Sequence, residues 1–396
     1  MDIKCYIKKE DFPATINYIY LNAANVSSPY KYANEAINKW QNDLLYNGSV
    51  NFNDYAEENV FKPLQKAAAQ LLNCDSDEIC CGSSATELLS TIAWGIAPKK
   101  YQNIVSCEAS FPSTVYPWHR ICEEYKCELR LAKYDDKSYT NIDNIINLID
   151  ENTTVVTVSH VEFTNGQIYN LKKLANEIHK YNGYLIVDGS QSIGAIPIDV
   201  KECGVDIIVT GSYKWLCSTF GASIMYINKN IINKINPGLY GFRSHKDMWD
   251  LQANRLKLKT TADKFSFSTL HFGSIYGLTK SVELINNIGI NNIYEYNLVL
   301  TNHLIEELKK ITNINIISPI NNIKEYSSII TFSIYDIPTK YIIEKLTEKK
   351  IIVSNRNNYI RISTHFYNTI EDINYTCIVL NEIICSYRFN FKKSKL

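Results

Sequence analysis

From about residue 30 to residue 228 the chain alternates between two rhythms. Apolar residues recur at helical spacing over Tyr32–Tyr46, Asp54–Leu72, Ala85–Ile96, Ile142–Asp150 and Leu171–Tyr181, which predicts amphipathic helices. Between them lie short β-branched runs, Ile104–Ser106, Glu128–Leu131, Val155–Ser159, Leu185–Asp188, Ile207–Thr210 and Ala222–Ile227, predicted as strands. Strands alternating with helices need crossover connections, so the expected fold is α/β, with a mostly parallel central sheet covered by helices on both faces. After Asn236-Pro237-Gly238 the rhythm changes. An aromatic, polar segment runs to residue 271, and two long helical stretches follow at Ser274–Ile288 and Asn292–Ile311. The rest reads as a smaller α+β unit: strands at Ile314–Ser318, Ser327–Ile334, Ile351–Val353 and Tyr359–Ser363, helices at Thr339–Lys349 and Ile370–Ile384. This divides the chain into a large domain, 22–285, and a small one made of 1–21 and 290–396.

Composition narrows the class of function. A length of 396 residues suits two domains at roughly 150 residues each. Lys+Arg and Asp+Glu both number 41, so no global field recruits nucleic acid or an anionic membrane. No apolar stretch reaches the ~18 residues of a membrane helix, and the opening MDIKCYIKKEDFP lacks the layout of a secretion signal, so a cytoplasmic protein is expected. The 11 cysteines are odd in number and include no Cys-x-x-Cys pair, which predicts reduced, mainly buried thiols. No His, Cys or carboxylate spacing suits a metal. The basic tail 391–396 reads as a solvated end.

Candidate chemistry gathers at strand ends. Tyr184-Leu-Ile-Val-Asp188-Gly-Ser-Gln191 and Val205-Asp-Ile-Ile-Val-Thr-Gly-Ser-Tyr213-Lys214 both read as buried strands ending in polar residues. In parallel sheets the carboxyl ends of strands are where ligands bind, which places Asp188 and Lys214 at one crevice. Such a pair suits pyridoxal phosphate: the amine joins the aldehyde and the carboxylate keeps the pyridine nitrogen protonated. These two residues alone fit equally well a turn cap and a surface lysine. Cys81-Gly82-Ser83-Ser84-Ala85-Thr86-Glu87 runs from a strand into a helix whose first turn offers free N–H groups to a phosphate. It also reads as an N-cap at Ser84 with Glu87 closing a capping box.

With these motifs in order along nearly the whole chain, the sequence resembles the class V aminotransferase family of fold-type-I pyridoxal-phosphate enzymes, which includes cysteine desulfurases, isopenicillin N epimerase-like proteins and, more distantly, kynureninase. Ser84-Ala-Thr-Glu is similar to the family's phosphate turn, implying contacts from Ala85 and Thr86. Phe111-Pro-Ser-Thr-Val-Tyr-Pro-Trp118 resembles the segment whose aromatic ring stacks on the cofactor, with Phe111 as that ring. The resemblance further implies that Asp188 partners the pyridine nitrogen, Gln191 reaches the phenolic oxygen, and Tyr213 binds phosphate beside the covalent Lys214. Phe265-Ser-Phe-Ser-Thr269 looks like the segment whose threonine reaches a neighbouring subunit's phosphate site, which implies a homodimer with shared active sites. Arg361 resembles the arginine that clamps the substrate α-carboxylate, and Asn22 is placed near the same pocket.

The departures are informative. Relatives follow the lysine with Gly-Pro-x-Gly, where this chain has Cys217-Ser-Thr-Phe220-Gly221. Desulfurases carry a reactive cysteine on a loop just ahead of the carboxylate-binding arginine, and the short segment Ile351–Arg361 has none. Cys217 reads as a packed loop residue, and His160 and His365 as structural imidazoles. The expected activity is chemistry at Cα of an amino acid. Family frequency points to an aminotransferase, with a C–S or C–C lyase or an epimerase as alternatives, and a desulfurase or a non-catalytic cofactor-binding protein behind them.

Overall fold

The computed structural model describes residues 8–393. The opening peptide with Cys5 and the last three residues of the basic tail lie outside the described residues, as do the side chains of 391–393. Thirteen strands occur in chain order among the described residues. They are β1 (Ile19–Tyr20), β2 (Ile79–Gly82), β3 (Asn103–Cys107), β4 (Glu128–Ala132), β5 (Thr153–Ser159), β6 (Tyr184–Asp188), β7 (Ile207–Gly211), β8 (Ser223–Ile227), β9 (Ile314–Ile316), β10 (Ile329–Ile334), β11 (Ile351–Ile352), β12 (Ser354–Arg356) and β13 (Tyr359–Ser363).

Seven strands form the central sheet in the order β2-β8-β7-β6-β5-β3-β4, parallel except for β8, which runs against both its neighbours. The middle strands are apolar on both faces, and the period of two divides each strand between two cores. Val156, Val158, Leu185, Val187 and Ile208 belong to one, Val155, Ile186, Ile207 and Val209 to the other. Helices Lys62–Leu72, Leu171–His179 and Phe272–Ile288 cover the first face, and Ala85–Ile96 with Pro112–Tyr125 the second.

The small domain is a four-stranded antiparallel sheet, β12-β13-β10-β9, packed on helices Ile290–Lys310, Thr339–Glu348 and Ile370–Lys393 over its own apolar core. It meets the large domain where the site lies. Gly166, with φ +76°, lets the chain pass so close to β10 that a Cβ there would sit 2.3 Å from the Ile329 carbonyl. Asn22 bridges Ser363 beside β13, and Thr331 donates its hydroxyl to the Thr164 carbonyl.

Three predicted helices differ. Asp54–Leu72 is two helices, Asp54–Glu58 and Lys62–Leu72, because Pro63 belongs in a first turn, where its missing N–H costs nothing, and would break a continuous rod. Ile142–Asp150 is only one turn long, ending at Ile146. The last helix continues past Ile384 to Lys393. A further helix, Pro112–Tyr125, escapes the periodicity reading because it contains two prolines. Pro112 opens it. Pro117 gives up one hydrogen bond, and burial of Thr114, Val115, Trp118 and Ile121 holds the helix together regardless. No helix among the described residues is long and apolar enough to cross a membrane.

Candidate active site

A cleft of about 550 Å³, open at its mouth, lies at the carboxyl ends of β5, β6 and β7. Its walls bring together seven residues marked by the sequence, Ala85, Thr86, Phe111, Asp188, Gln191, Tyr213 and Lys214. They come from four separate stretches of chain, and the parallel strands explain the convergence, since their carboxyl ends point the same way.

Asp188 ends β6 and is buried. Its two oxygens are oriented separately: Oδ2 accepts from Thr114 Oγ1 at 3.0 Å, and Oδ1 accepts from the Ser190 amide at 2.9 Å. Lys214 lies just beyond β7, and its amine makes no hydrogen bond or ion pair among the described residues. Instead Nζ sits 5.4 Å from the centre of the Phe111 ring and 5.8 Å from that of Tyr213. Burial lowers its pKa to about 8; Asp188 opposes this, and the positive Arg361 and Arg356 add to it. The result is a lysine ready to act as a nucleophile near neutral pH.

The other walls are built with similar constraint. Gln191 is fixed at both ends, donating to the Ala24 carbonyl at 2.9 Å and accepting from the Trp215 indole at 2.8 Å. Phe111 caps helix Pro112–Tyr125, is tied by its amide to Ser159 Oγ at 3.3 Å, and meets Phe163 edge-on at 5.2 Å. Helix Ala85–Ile96 opens toward the cleft with Ser84 as N-cap, and the Thr86 hydroxyl shares a hydrogen bond with Ser113 at 2.8 Å. The capping box is shifted from its expected form: the Glu87 carboxylate returns to Ser83, one residue before the cap.

Three predicted residues stand outside the cleft lining. Arg361 is buried on β13, next to the wall, with Nε donating to Ser354 Oγ at 3.1 Å and Nη1 to the Phe163 carbonyl at 2.6 Å. Its Nη2 has no partner among the described residues, and burial brings its pKa down to about 9. Asn22 is buried, with Oδ1 unpaired among the described residues. Thr269 is exposed and does not line the cleft of its own chain.

The loop after Lys214 is closed by an aromatic contact. Phe220 stacks on Tyr213 with ring centres 4.4 Å apart, and Cys217 takes a left-handed φ of +52°. The Cys217 thiol is buried, lies 3.3 Å from Ser27 Oγ, and is pushed up to about 12 by burial. His160 and His365 are buried and outside the cleft lining. Burial lowers them to about 4 and about 3, and His365 Nε2 lies 3.0 Å from the Trp215 carbonyl.

Sequence reasoning missed Ser113, Thr114 and Phe163. The first two follow directly on Phe111-Pro112, and a helix opened by that proline places both in its first turn. Phe163 carried no signal, because its contribution is a ring on one side and a backbone carbonyl on the other.

The donor set fits pyridoxal phosphate. A buried carboxylate suits a ring nitrogen, an aromatic face a flat ring, a helix N-terminus with hydroxyls a phosphate, and an unpaired amine an aldehyde. The unpaired buried Nη2 of Arg361 suits an incoming carboxylate.

The aminotransferase class-V family matches residues 19–376. A probable cysteine desulfurase of Methanothermobacter thermautotrophicus is 24% identical, the match covering 95% of this chain and 97% of that protein. An uncharacterized aminotransferase, YcbU, of Bacillus subtilis is 24% identical over 91% of this chain and 93% of its own. Among solved structures, the cystine C–S lyase C-DES with its product cysteine persulfide superposes with a TM-score of 0.85 at 21% identity, covering 93% of this chain and 99% of that one. The cysteine desulfurase of Thermococcus onnurineus does so with a TM-score of 0.85 at 20% identity, over 96% and 97%. The chain belongs to the aminotransferase class-V family and is a pyridoxal-phosphate-dependent enzyme.

Proposed function

We propose that this enzyme is a carbon–sulfur lyase that breaks the Cβ–S bond of a cysteine-type amino acid and releases the sulfur group directly, without a protein-bound persulfide. The observation that carries this reading is the β12–β13 hairpin. Its turn consists of only two residues, Asn357 and Asn358, both with positive φ (51° and 64°), as a tight hairpin turn requires. The chain therefore has no mobile loop ahead of Arg361 to carry a cysteine to the substrate. Cys217 and Cys107, the latter also pushed up to about 12, are buried thiols unsuited to attack. The desulfurases among its relatives and the cystine C–S lyase of similar fold support the substrate element.

Bound pyridoxal phosphate supplies an electron sink in conjugation with Cα. Asp188, fixed by Thr114 and Ser190, holds a proton at the ring nitrogen. Ala85, Thr86 and Ser113, which line the cleft, would hold the phosphate, and Phe111 would cover one ring face. Arg361 Nη2 takes the α-carboxylate, which directs the Cα–H bond toward Lys214. The Lys214 amine removes that proton, the Cβ–S bond breaks, and its electron pair leaves with sulfur. For cysteine, one water is consumed and hydrogen sulfide, pyruvate and ammonia are formed. Exposed Thr269 belongs, in this reading, to a homodimer in which it completes the partner's phosphate site.

The test is product analysis with cysteine and its disulfides. A lyase yields pyruvate and ammonia in equal amounts, and single Cys→Ala substitutions leave sulfide release intact. A stoichiometric oxo acid without ammonia, with conversion of the ~420 nm absorbance to that of the amine form, would establish transamination instead. Loss of sulfide release in one Cys→Ala variant would establish a desulfurase.

A further inference from the structure

Cys122 and Cys127 meet sulfur to sulfur, 3.4 Å apart, where helix Pro112–Tyr125 ends and β4 begins. The geometry has a local cause. Lys126 takes a left-handed φ of +58° and donates its amide to the Cys122 carbonyl at 2.9 Å, which closes the helix and turns the next residue back over its last turn. Beyond the turn, the Glu128 amide is tied to the Gln102 carbonyl at 3.1 Å. Cys127 is thus held from both sides against Cys122. Both cysteines are half-buried and residues 123–126 between them are exposed, so the pair lies at the surface. A cap of this kind needs only two apolar side chains in contact; two thiols add a chemistry that packing does not require. Cys107 and Cys217, by contrast, are buried and contact oxygen atoms.

We propose that Cys122 and Cys127 are a dithiol site that a small-molecule disulfide converts to an intramolecular disulfide, tying the end of helix Pro112–Tyr125 to the edge strand β4. This goes beyond the lyase reading and does not depend on it. Closure is short: bonded sulfurs stand about 2 Å apart, so roughly 1.4 Å of approach is needed, within reach of side-chain torsions. The surroundings set the order of events. The Cys122 thiol is pushed up to about 12 by burial, by its hydrogen bond with Cys127 and by the charges of Cys127 and Glu128. Cys127 is left as the attacking thiol. Its thiolate bonds to one sulfur of the reagent, the reagent's S–S bond breaks, and the departing thiolate takes up the proton that Cys127 gave away. In the resulting mixed disulfide the two influences of Cys127 on Cys122 are gone. Cys122 then loses its proton, attacks the Cys127 sulfur and releases the second thiol. Two protein thiols are oxidised, and one disulfide is reduced to two thiols. The new bond fixes the far end of the helix whose first turn places Ser113 in the cleft and Thr114 on Asp188.

Tryptic mapping tests this, since cleavage after Arg120, Lys126 and Arg130 separates the two cysteines in the reduced chain. The holoenzyme is incubated with oxidised glutathione, its remaining thiols are blocked by alkylation, and the digest is analysed by mass. Peptides 121–126 and 127–130 are expected as one linked species, short of two hydrogens, which dithiothreitol splits. Cys122→Ser prevents closure, and Cys127 in that variant is expected to hold on the order of tenfold more glutathione than in the wild type. Cys127→Ser should take up far less at position 122, and equal labelling of the two variants overturns the order of attack. Glutathione that stays on Cys127 of the wild type without closure overturns the proposal. So does a pair left unmodified while the exposed Cys385 reacts, or a linked peptide that forms only in urea. Each of these results makes the pair the packing contact of a helix cap. Should a serine variant fail to fold, the wild-type digest decides alone.

Discussion

The Lys214 amine should capture cofactor with a midpoint near pH 8, about two and a half units below an ordinary lysine at 10.5. At pH 7 this leaves roughly one amine in eleven neutral, against about one in three thousand for an unperturbed lysine, a gain of ~300-fold in reactive form. The experiment strips the enzyme of cofactor, then follows the rate at which absorbance near ~420 nm appears on re-adding it between pH 6 and pH 10. The rate should rise about tenfold per pH unit up to the midpoint and then level off. Asp188→Asn removes the neighbour that favours the charged amine and should shift the midpoint down, whereas Arg361→Leu removes a repelling charge and should shift it up. The same shift carries a stability consequence with a definite sign. The folded-state pKa lies below the unfolded one, so the charged amine opposes folding at every pH below about 8, and that opposition disappears as pH rises from 8 to 10.5. The full shift corresponds to ~3 kcal/mol, and water in the open cleft reduces this to about 2 kcal/mol. Lys214→Met, which keeps the apolar stem, should therefore raise the melting temperature of the cofactor-free protein at pH 7 while abolishing the band. A wild-type midpoint near 10, or the same midpoint in both charge variants, would refute the reasoning.

Two further outcomes follow from packing and burial. Gly194 has φ +98°, and a Cβ there would lie 2.5 Å from the Trp215 carbonyl, so Gly194→Ala should cost about 2–4 kcal/mol in thermal unfolding and weaken cofactor binding, because Trp215 holds Gln191; an unchanged melting temperature contradicts this. His160 and His365 are neutral in the fold, with pKa values of about 4 and about 3 against the ordinary 6.5, so the stability they carry is complete above pH 6.5 and is lost as pH falls through that value toward 4. Urea midpoints should drop steeply over that window, by up to ~5 kcal/mol at pH 4.5 for the pair, and a flat profile would remove the basis for this prediction.

Much of this site was legible because strand ends are written locally. Tyr184–Asp188 and Ile207–Gly211 are continuous apolar runs closed by polar residues, and a parallel sheet turns that pattern into convergence at one crevice. The helix opening at Ala85 was equally plain, since a cap and its first turn are neighbours in sequence. What escaped the sequence depends on contacts across distance. Thr114 matters only because helix Pro112–Tyr125 delivers its hydroxyl to Asp188, and prolines at 112 and 117 concealed that helix from a propensity reading. Phe163 contributes a carbonyl to Arg361, a role any residue type could fill. Arg356 reads as one more surface charge until the fold sets it against an asparagine from the N-terminal segment.

The two-asparagine turn between β12 and β13 also bears on how this scaffold can change over generations. A single base change can swap an amino acid, but it cannot lengthen a tight turn into an arm able to ferry sulfur away to an acceptor protein. Acquiring such delivery would take an insertion several codons long, next to an arginine that must hold its position throughout. In the lyase proposed above, the sulfur accordingly leaves as a small molecule, to be collected from solution and not handed over by a moving arm.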